Sequence, residues 1–215
     1  LARSAAQLAQ QARALDSLAD DLLSRAGFRV GEVGPLALPI LIALDDTALQ
    51  TVVARWLALR GAPSLPVRYW PRLRRELLHA REDAAPEIRW ADASLRRYRH
   101  TLYLLRDTDL PAAGVTADWP DPRQPLQVAD QYFPSMQLSH DHPLLARRWR
   151  LAPRTGGEYW QPAGRKHHVT LKHWCQEQGI PPWQRQALTC VWAGNEMVMV
   201  VLADGSACSG ALLHE

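Results

Sequence analysis

Leu1, Leu8, Leu15 and Leu22 recur every seven residues, and Ala5, Ala12, Ala19 and Ala26 follow four places behind each. That spacing draws one narrow apolar stripe along a helix, and Gly27 stands where such a helix commonly ends. The intervening Ser4, Gln11 and Arg25 are polar where a full coiled-coil seam needs leucine, so this helix is expected to pack on its own domain. Residues 28–44 hold Gly31, Gly34, Pro35 and Pro39 and read as a connector ending in the apolar stretch Ile40 to Leu44. Asp45 or Asp46 then caps a second helix, whose Leu49, Val52, Val53, Trp56 and Leu57 follow the i, i+3, i+4, i+7, i+8 template before Gly61 stops it. A third helix runs to about Ala80 with Leu73, Leu77 and Leu78 inward, and Pro71 opens or kinks it for want of an amide proton.

From Pro86 the period changes to two. Glu87 to Ala91, Leu95 to Arg99 and Thr101 to Leu105 read as strands of a small antiparallel meander. Residues 109–125, with Pro111, Gly114, Pro120, Pro122 and Pro125, look like a linker between domains spanning 1–108 and 126–215. The second domain is expected to have weak strands at Leu126 to Val128, Met136 to Leu138 and Leu144 to Leu151. A helix should follow from about Val169 to Gly179, then a short one at Trp183 after two prolines. Thr189 to Trp192 and Glu196 to Leu202 flank Gly194 and Asn195, which predicts a closing hairpin. The fold class is therefore α+β: a helical domain with a small antiparallel strand meander, then a second small α+β domain.

Net charge is only +3, from 25 basic and 22 acidic residues, so the overall balance does not announce a nucleic-acid partner. The distribution does more. Residues 147–172 carry seven basic side chains against the single acid Glu158, whereas residues 107–146 set only Arg123 against six aspartates. Cys175, Cys190 and Cys208 form no close pair and no metal spacing, which suits free thiols in the cytoplasm. His140-Asp141-His142, and His167, His168 and His173 with Cys175, fall short of a set of four ligands at recognised spacing, so no metal is expected.

The most specific stretch is Arg154-Thr155-Gly156-Gly157-Glu158, then Gly164, Arg165 and Lys166, then Leu171-Lys172, then Ile180-Pro181-Pro182-Trp183 with Arg185. It resembles the C-terminal domain of bacterial tRNA(Ile)-lysidine synthetases, in which these elements occur in the same order. Arg55-Trp56-Leu57, the run Ala80-Arg81-Glu82-Asp83-Ala84 and Leu95-Arg96-Arg97-Tyr98 resemble that family's middle domain in the same way. His173 and Gln184 depart from it, since the family often has lysine and leucine there. Thr155-Gly156-Gly157-Glu158 is followed by Tyr159 and Trp160 rather than by the Asp-Ser of an ATP-pyrophosphatase loop, and no Walker pattern is present.

The resemblance implies a tRNA-recognition role, with ATP and Mg belonging to a catalytic domain that this chain lacks, so no isolated activity is expected and no cofactor in these residues. The implied partners are tRNA(Ile) and that N-terminal catalytic domain, with a homodimer of the full-length protein also allowed. Candidate RNA contacts are Arg154, Gly156, Gly157, Arg165, Lys166, Lys172, Trp183 and Arg185 in the second domain, and Arg72, Arg75, Arg97 and Arg99 in the first. Glycines permit a close backbone approach and amides that form an anion nest, while the basic residues gather at a helix start. Trp183 is the candidate for stacking on a base. The rival reading is a protein-interaction module that docks a partner chain through its apolar helix stripe.

Overall fold

The computed structural model describes residues 2–29, 34–81 and 84–214, with side chains from Ala6 onward. Leu1, Gly31, Glu82, Asp83 and the side chains of Ser4 and Ala5, all invoked above, lie outside it. Two compact units divide the chain, Leu1–Asp109 and Leu110–Glu215.

In the first unit, helix α1 (Ala2–Arg25) buries Ala19 and Leu23, and Ala26 and Phe28 continue into the core beyond its end. The expected stripe marks the inward face only toward its C-terminal end, where Ala19 and Ala26 are buried and Leu22 is partly buried, while Leu8 and Leu15 upstream are 66% and 55% exposed. Among the described side chains of α1, the buried ones lie in its last turns. There Arg55 of α3 (Asp46–Leu59) grips Asp20 through two bonds of 2.8 and 2.9 Å and reaches Asp16 at 3.3 Å.

The expected connector contains structure of its own. Strand β1 (Leu36–Ala37) leads directly into helix α2 (Leu38–Ala43), whose first turn accepts Pro39. Asp45 caps α3, accepting the Ala48 amide at 2.8 Å, and α3 buries Leu49, Val52, Val53, Trp56 and Leu57 as its period requires. Pro71 sits in the first turn of α4 (Trp70–Arg72), which continues as a π-turn over Leu73–Leu78 that buries Leu73, Leu77 and Leu78. Strands β2 (Glu87–Trp90), β3 (Ala93–Tyr98) and β4 (Thr101–Arg106) form the expected meander, and β1 adds to its edge in the order β1-β4-β3-β2. Leu36 pairs with Leu102, so a segment read as connector completes the sheet. Helices and sheet share one core around Phe28, Leu41, Trp56 and Leu95.

In the second unit the expected linker is part of the fold. Strand β5 (Ala117–Trp119) lies within residues 109–125, and Trp119 is 2% exposed against Trp149 and Phe133. Proline density concealed it because β5 is an edge strand of three residues, too short for a period to register. A hairpin follows, β6 (Leu126–Val128) with β7 (Gln131–Phe133). Met136 to Leu138 forms no strand, and Leu144 to Leu151 divides into a 3-10 turn (Pro143–Ala146) and strand β8 (Trp149–Pro153).

Strands β9 (Tyr159–Trp160) and β10 (Val169–Thr170) pair ahead of helix α5 (Leu171–Glu177), and the short helix expected at Trp183 is a 3-10 turn over Arg185–Ala187. The expected hairpin is present as β11 (Thr189–Ala193) and β12 (Glu196–Val201), bulged between Val191 and Trp192, and β13 (Ala207–Ser209) extends it. The five-stranded order is β13-β12-β11-β8-β5. This sheet is covered on both faces. Val191 and Leu151 enter a core with Trp119, Phe133 and Leu144, while Cys190 and Val200 enter another with Trp160, Leu171 and Trp174.

Candidate functional site

Strand β8 ends at Pro153, and the next five residues fold back on themselves. Gly156 and Gly157 take φ of +103° and +82°, a left-handed region that disfavours side chains. The Glu158 side chain turns into this bend: its Oε1 accepts the Thr155 amide at 2.5 Å, the Gly156 amide at 2.6 Å and the Thr155 hydroxyl at 3.2 Å. Arg154 Nε lies 3.7 Å from the other carboxylate oxygen. Burial works to raise the Glu158 pKa, but amides of Gly156, Glu158 and Thr155 outweigh it and hold the carboxyl below its ordinary value. An anion nest does form at the glycines, and the chain's own carboxylate fills it. The expectation of amides open to an external phosphate is corrected accordingly.

Downstream, Arg165 forms an ion pair with Glu177 at 2.5 Å. Lys166, His167, His168, Lys172 and His173 are all exposed. Thr170 caps α5 by accepting the His173 amide at 3.1 Å, so the helix start has an internal acceptor, as the Gly-Gly turn does. Trp183 and Arg185 are each only 8% exposed, and Arg185 donates through Nε to the Ile180 carbonyl at 2.8 Å. Both sit in the body of the unit, where the expected base stacking of Trp183 has little free ring to use.

In the first unit, Arg72 and Arg75 each donate to Glu76 at 2.8 Å, and Arg72 also lies over the Tyr69 ring. Arg97 is buried. Its guanidinium donates to the carbonyls of Leu77, Leu78, Ala80 and Arg99, collecting the acceptors that the end of the π-turn leaves open. Arg99 takes φ of +54° in the β3–β4 turn, with its guanidinium 5.5 Å from the centre of the Tyr98 ring.

The candidates thus separate by burial. Lys166 and Lys172 present charge to solvent, Arg165, Arg72 and Arg75 share theirs with a neighbouring carboxylate, and Arg97, Arg154 and Arg185 hold backbone or carboxylate groups of the chain itself. Two exposed features fall outside the contact candidates read from the sequence. Tyr159 on β9 is 63% exposed while its neighbour Trp160 is 1% exposed, and Arg150 on β8 lies 4.9 Å over the Trp192 ring. Alternation along the strands was the available signal, but β9 is only two residues long. Among the described residues no group of three or more His, Cys, Asp or Glu could hold a metal ion.

Residues 36–103 match the TilS substrate binding domain family, and residues 149–207 match the TilS substrate C-terminal domain family. The tRNA(Ile)-lysidine synthase of Methylococcus capsulatus is 34% identical over 198 residues, covering 89% of this chain and 45% of that protein. Those of Xylella fastidiosa (strain Temecula1) and Ralstonia nicotianae are 33% and 34% identical, covering 93% and 92% of this chain and 45% of each relative. The chain therefore spans just under half the length of these curated relatives. One match falls inside each compact unit, in the order that the motifs led us to expect. The chain belongs to the tRNA(Ile)-lysidine synthase family and carries its substrate-binding and substrate C-terminal domains.

Proposed function

We propose that this chain recognises and positions tRNA(Ile) for an enzyme that converts the wobble cytidine to lysidine with ATP and free lysine. The observation that carries the reading is the pair of substrate-domain matches, one in each unit. Adenylation of the cytidine and attack by the lysine amine belong to a catalytic domain, with its ATP and Mg, of which these residues carry no motif. This chain holds the RNA. Its contacts are mostly to phosphate and to A-form shape, because the exposed cations of residues 147–172 sit on loops and short elements.

The burial pattern narrows the contact set. In the second unit the grip centres on Lys166 and Lys172, with Arg165 and the exposed ring of Tyr159 beside them in sequence and Arg147 and Arg150 as further exposed cations. Arg154, Trp183 and Arg185 support that surface from within, and Gly156 and Gly157 form an exposed turn beside it. In the first unit Arg72, Arg75 and Arg99 are the contact candidates, and Arg97 supports them. The protein works in the cytoplasm, where its tRNA is. Among the described residues no helix is long and apolar enough to cross a membrane.

The test is a gel shift of tRNA(Ile) with the Lys166→Ala, Lys172→Ala double variant. Both side chains are exposed, so the fold should persist while affinity falls about tenfold, as expected for two lost phosphate contacts. An unchanged affinity places the grip elsewhere.

A further inference from the structure

A cleft of ≈ 690 Å³ opens in the first unit between the start of α3 and the segment from Val67 to His79. Pockets of about 300–1,000 Å³ are the usual size for small-ligand sites. Val67, Trp70, Pro71, Arg74 and Arg75 line one wall at the spacing i, i+3, i+4, i+7, i+8, which is one face of a helix. The opposite face, Leu73, Leu77 and Leu78, is buried in the core. Folding uses that apolar side in full and Trp70 of the second stripe only in part, since Trp70 also packs against the core. Val67 is 84% exposed and Trp70 is only half-buried, which leaves an apolar and aromatic wall facing solvent.

The rim is basic. Arg74, Arg75 and His79 line it beside one carboxylate, Asp46, which receives Arg74 at 2.6 Å, and Arg75, though it also reaches Glu76 at 2.8 Å, keeps most of its side chain exposed. The π-turn adds a further polar group: the His79 amide bonds to the Arg74 carbonyl five residues back, setting the exposed His79 one turn beyond Arg74 on the same lining. An aromatic wall with cations at its lip fits a flat, anionic ligand. A bare phosphate would leave the Trp70 and Val67 wall unused, and an apolar helix would leave the exposed Arg75 and His79 unused.

The geometry points to a subsite for one unstacked nucleotide of a bound RNA, its base against Trp70 and Val67 and its phosphate toward Arg75 and His79. This assignment rests on the tRNA-binding role proposed above. It adds a place where a single-stranded position is held, distinct from the phosphate contacts of the second unit. A stacked base commonly contributes about tenfold or more to single-strand affinity.

The experiment uses an RNA hairpin carrying 2-aminopurine in its loop and a blunt RNA duplex of equal length. Each is titrated into the wild-type chain and into Trp70→Leu, which keeps apolar bulk and net charge. Wild type should change the 2-aminopurine fluorescence on binding; the variant should bind the hairpin about tenfold more weakly, without the fluorescence change, and bind the duplex as before. Should Trp70→Leu lower thermal stability, Val67→Glu at the exposed lip supplies the same hairpin and fluorescence reading. Equal hairpin affinity and equal fluorescence change in wild type and variant overturn the subsite and leave the tRNA role standing. Failure of the wild type to bind any RNA overturns both.

Discussion

Glu158 shows how one side chain can give a motif its shape. Its carboxylate takes two amides and a hydroxyl, and Glu158→Gln should cost about 1–3 kcal/mol in urea unfolding, since charged acceptors make the stronger bonds. The pH dependence has a definite sign. A carboxyl held below its ordinary 4.5 contributes fully above that value and loses its contribution as pH falls through the lowered one, so wild type and variant should converge only in stronger acid. Burial pushes the Cys190 thiol up to about 12 and raises Cys175 as well. A thiol reagent at pH 8 should therefore leave Cys190 unlabelled until the chain is unfolded, and rapid labelling of the native protein would contradict its placement. Gly114 is a third case. A Cβ there would stand 2.3 Å from the Leu188 carbonyl oxygen, so Gly114→Ala should destabilise by about 1–3 kcal/mol although the sequence shows only a glycine among prolines.

At the scale of elements, Arg97 is the joint between the π-turn and the meander. Arg97→Ala should cost about 3 kcal/mol or more, because several carbonyls lose a charged donor, and lysine should not rescue it, since one ammonium cannot fork to the same oxygens. Recovery of stability with lysine would show that the charge alone matters. Helix α3 and the β11–β12 hairpin were legible because their signals are local: a full period in one, two runs around Gly194-Asn195 in the other. Strands β1, β5, β9 and β13 were not. Each is two or three residues long, too short for a period to register, and β1 and β5 exist through pairing with partners far away in the chain. The stripe of α1 held only in part, since a repeat does not say how much of it is covered: Ala19 and Ala26 are buried, while Leu8 and Leu15 remain exposed. The candidate site was legible as motif and order, but not as burial. Arg185, which holds a backbone carbonyl, and Lys166, which faces solvent, both read as basic residues of one family pattern.

Across the whole molecule, charge and family point the same way. A net charge of +3 is slight, yet Arg147, Arg150, Lys166 and Lys172 are exposed in a stretch whose only acid, Glu158, is buried. Such a surface attracts polyanions by releasing their counterions, and a protein that reads shape and phosphate must lose affinity as salt rises. The most direct test is the affinity of this chain for tRNA(Ile) across a salt series. Affinity should fall linearly on logarithmic axes, by about a hundredfold or more between roughly 50 and 200 mM salt for four to six phosphate contacts. An affinity that holds steady over that range, or no binding at the low end, would contradict the account.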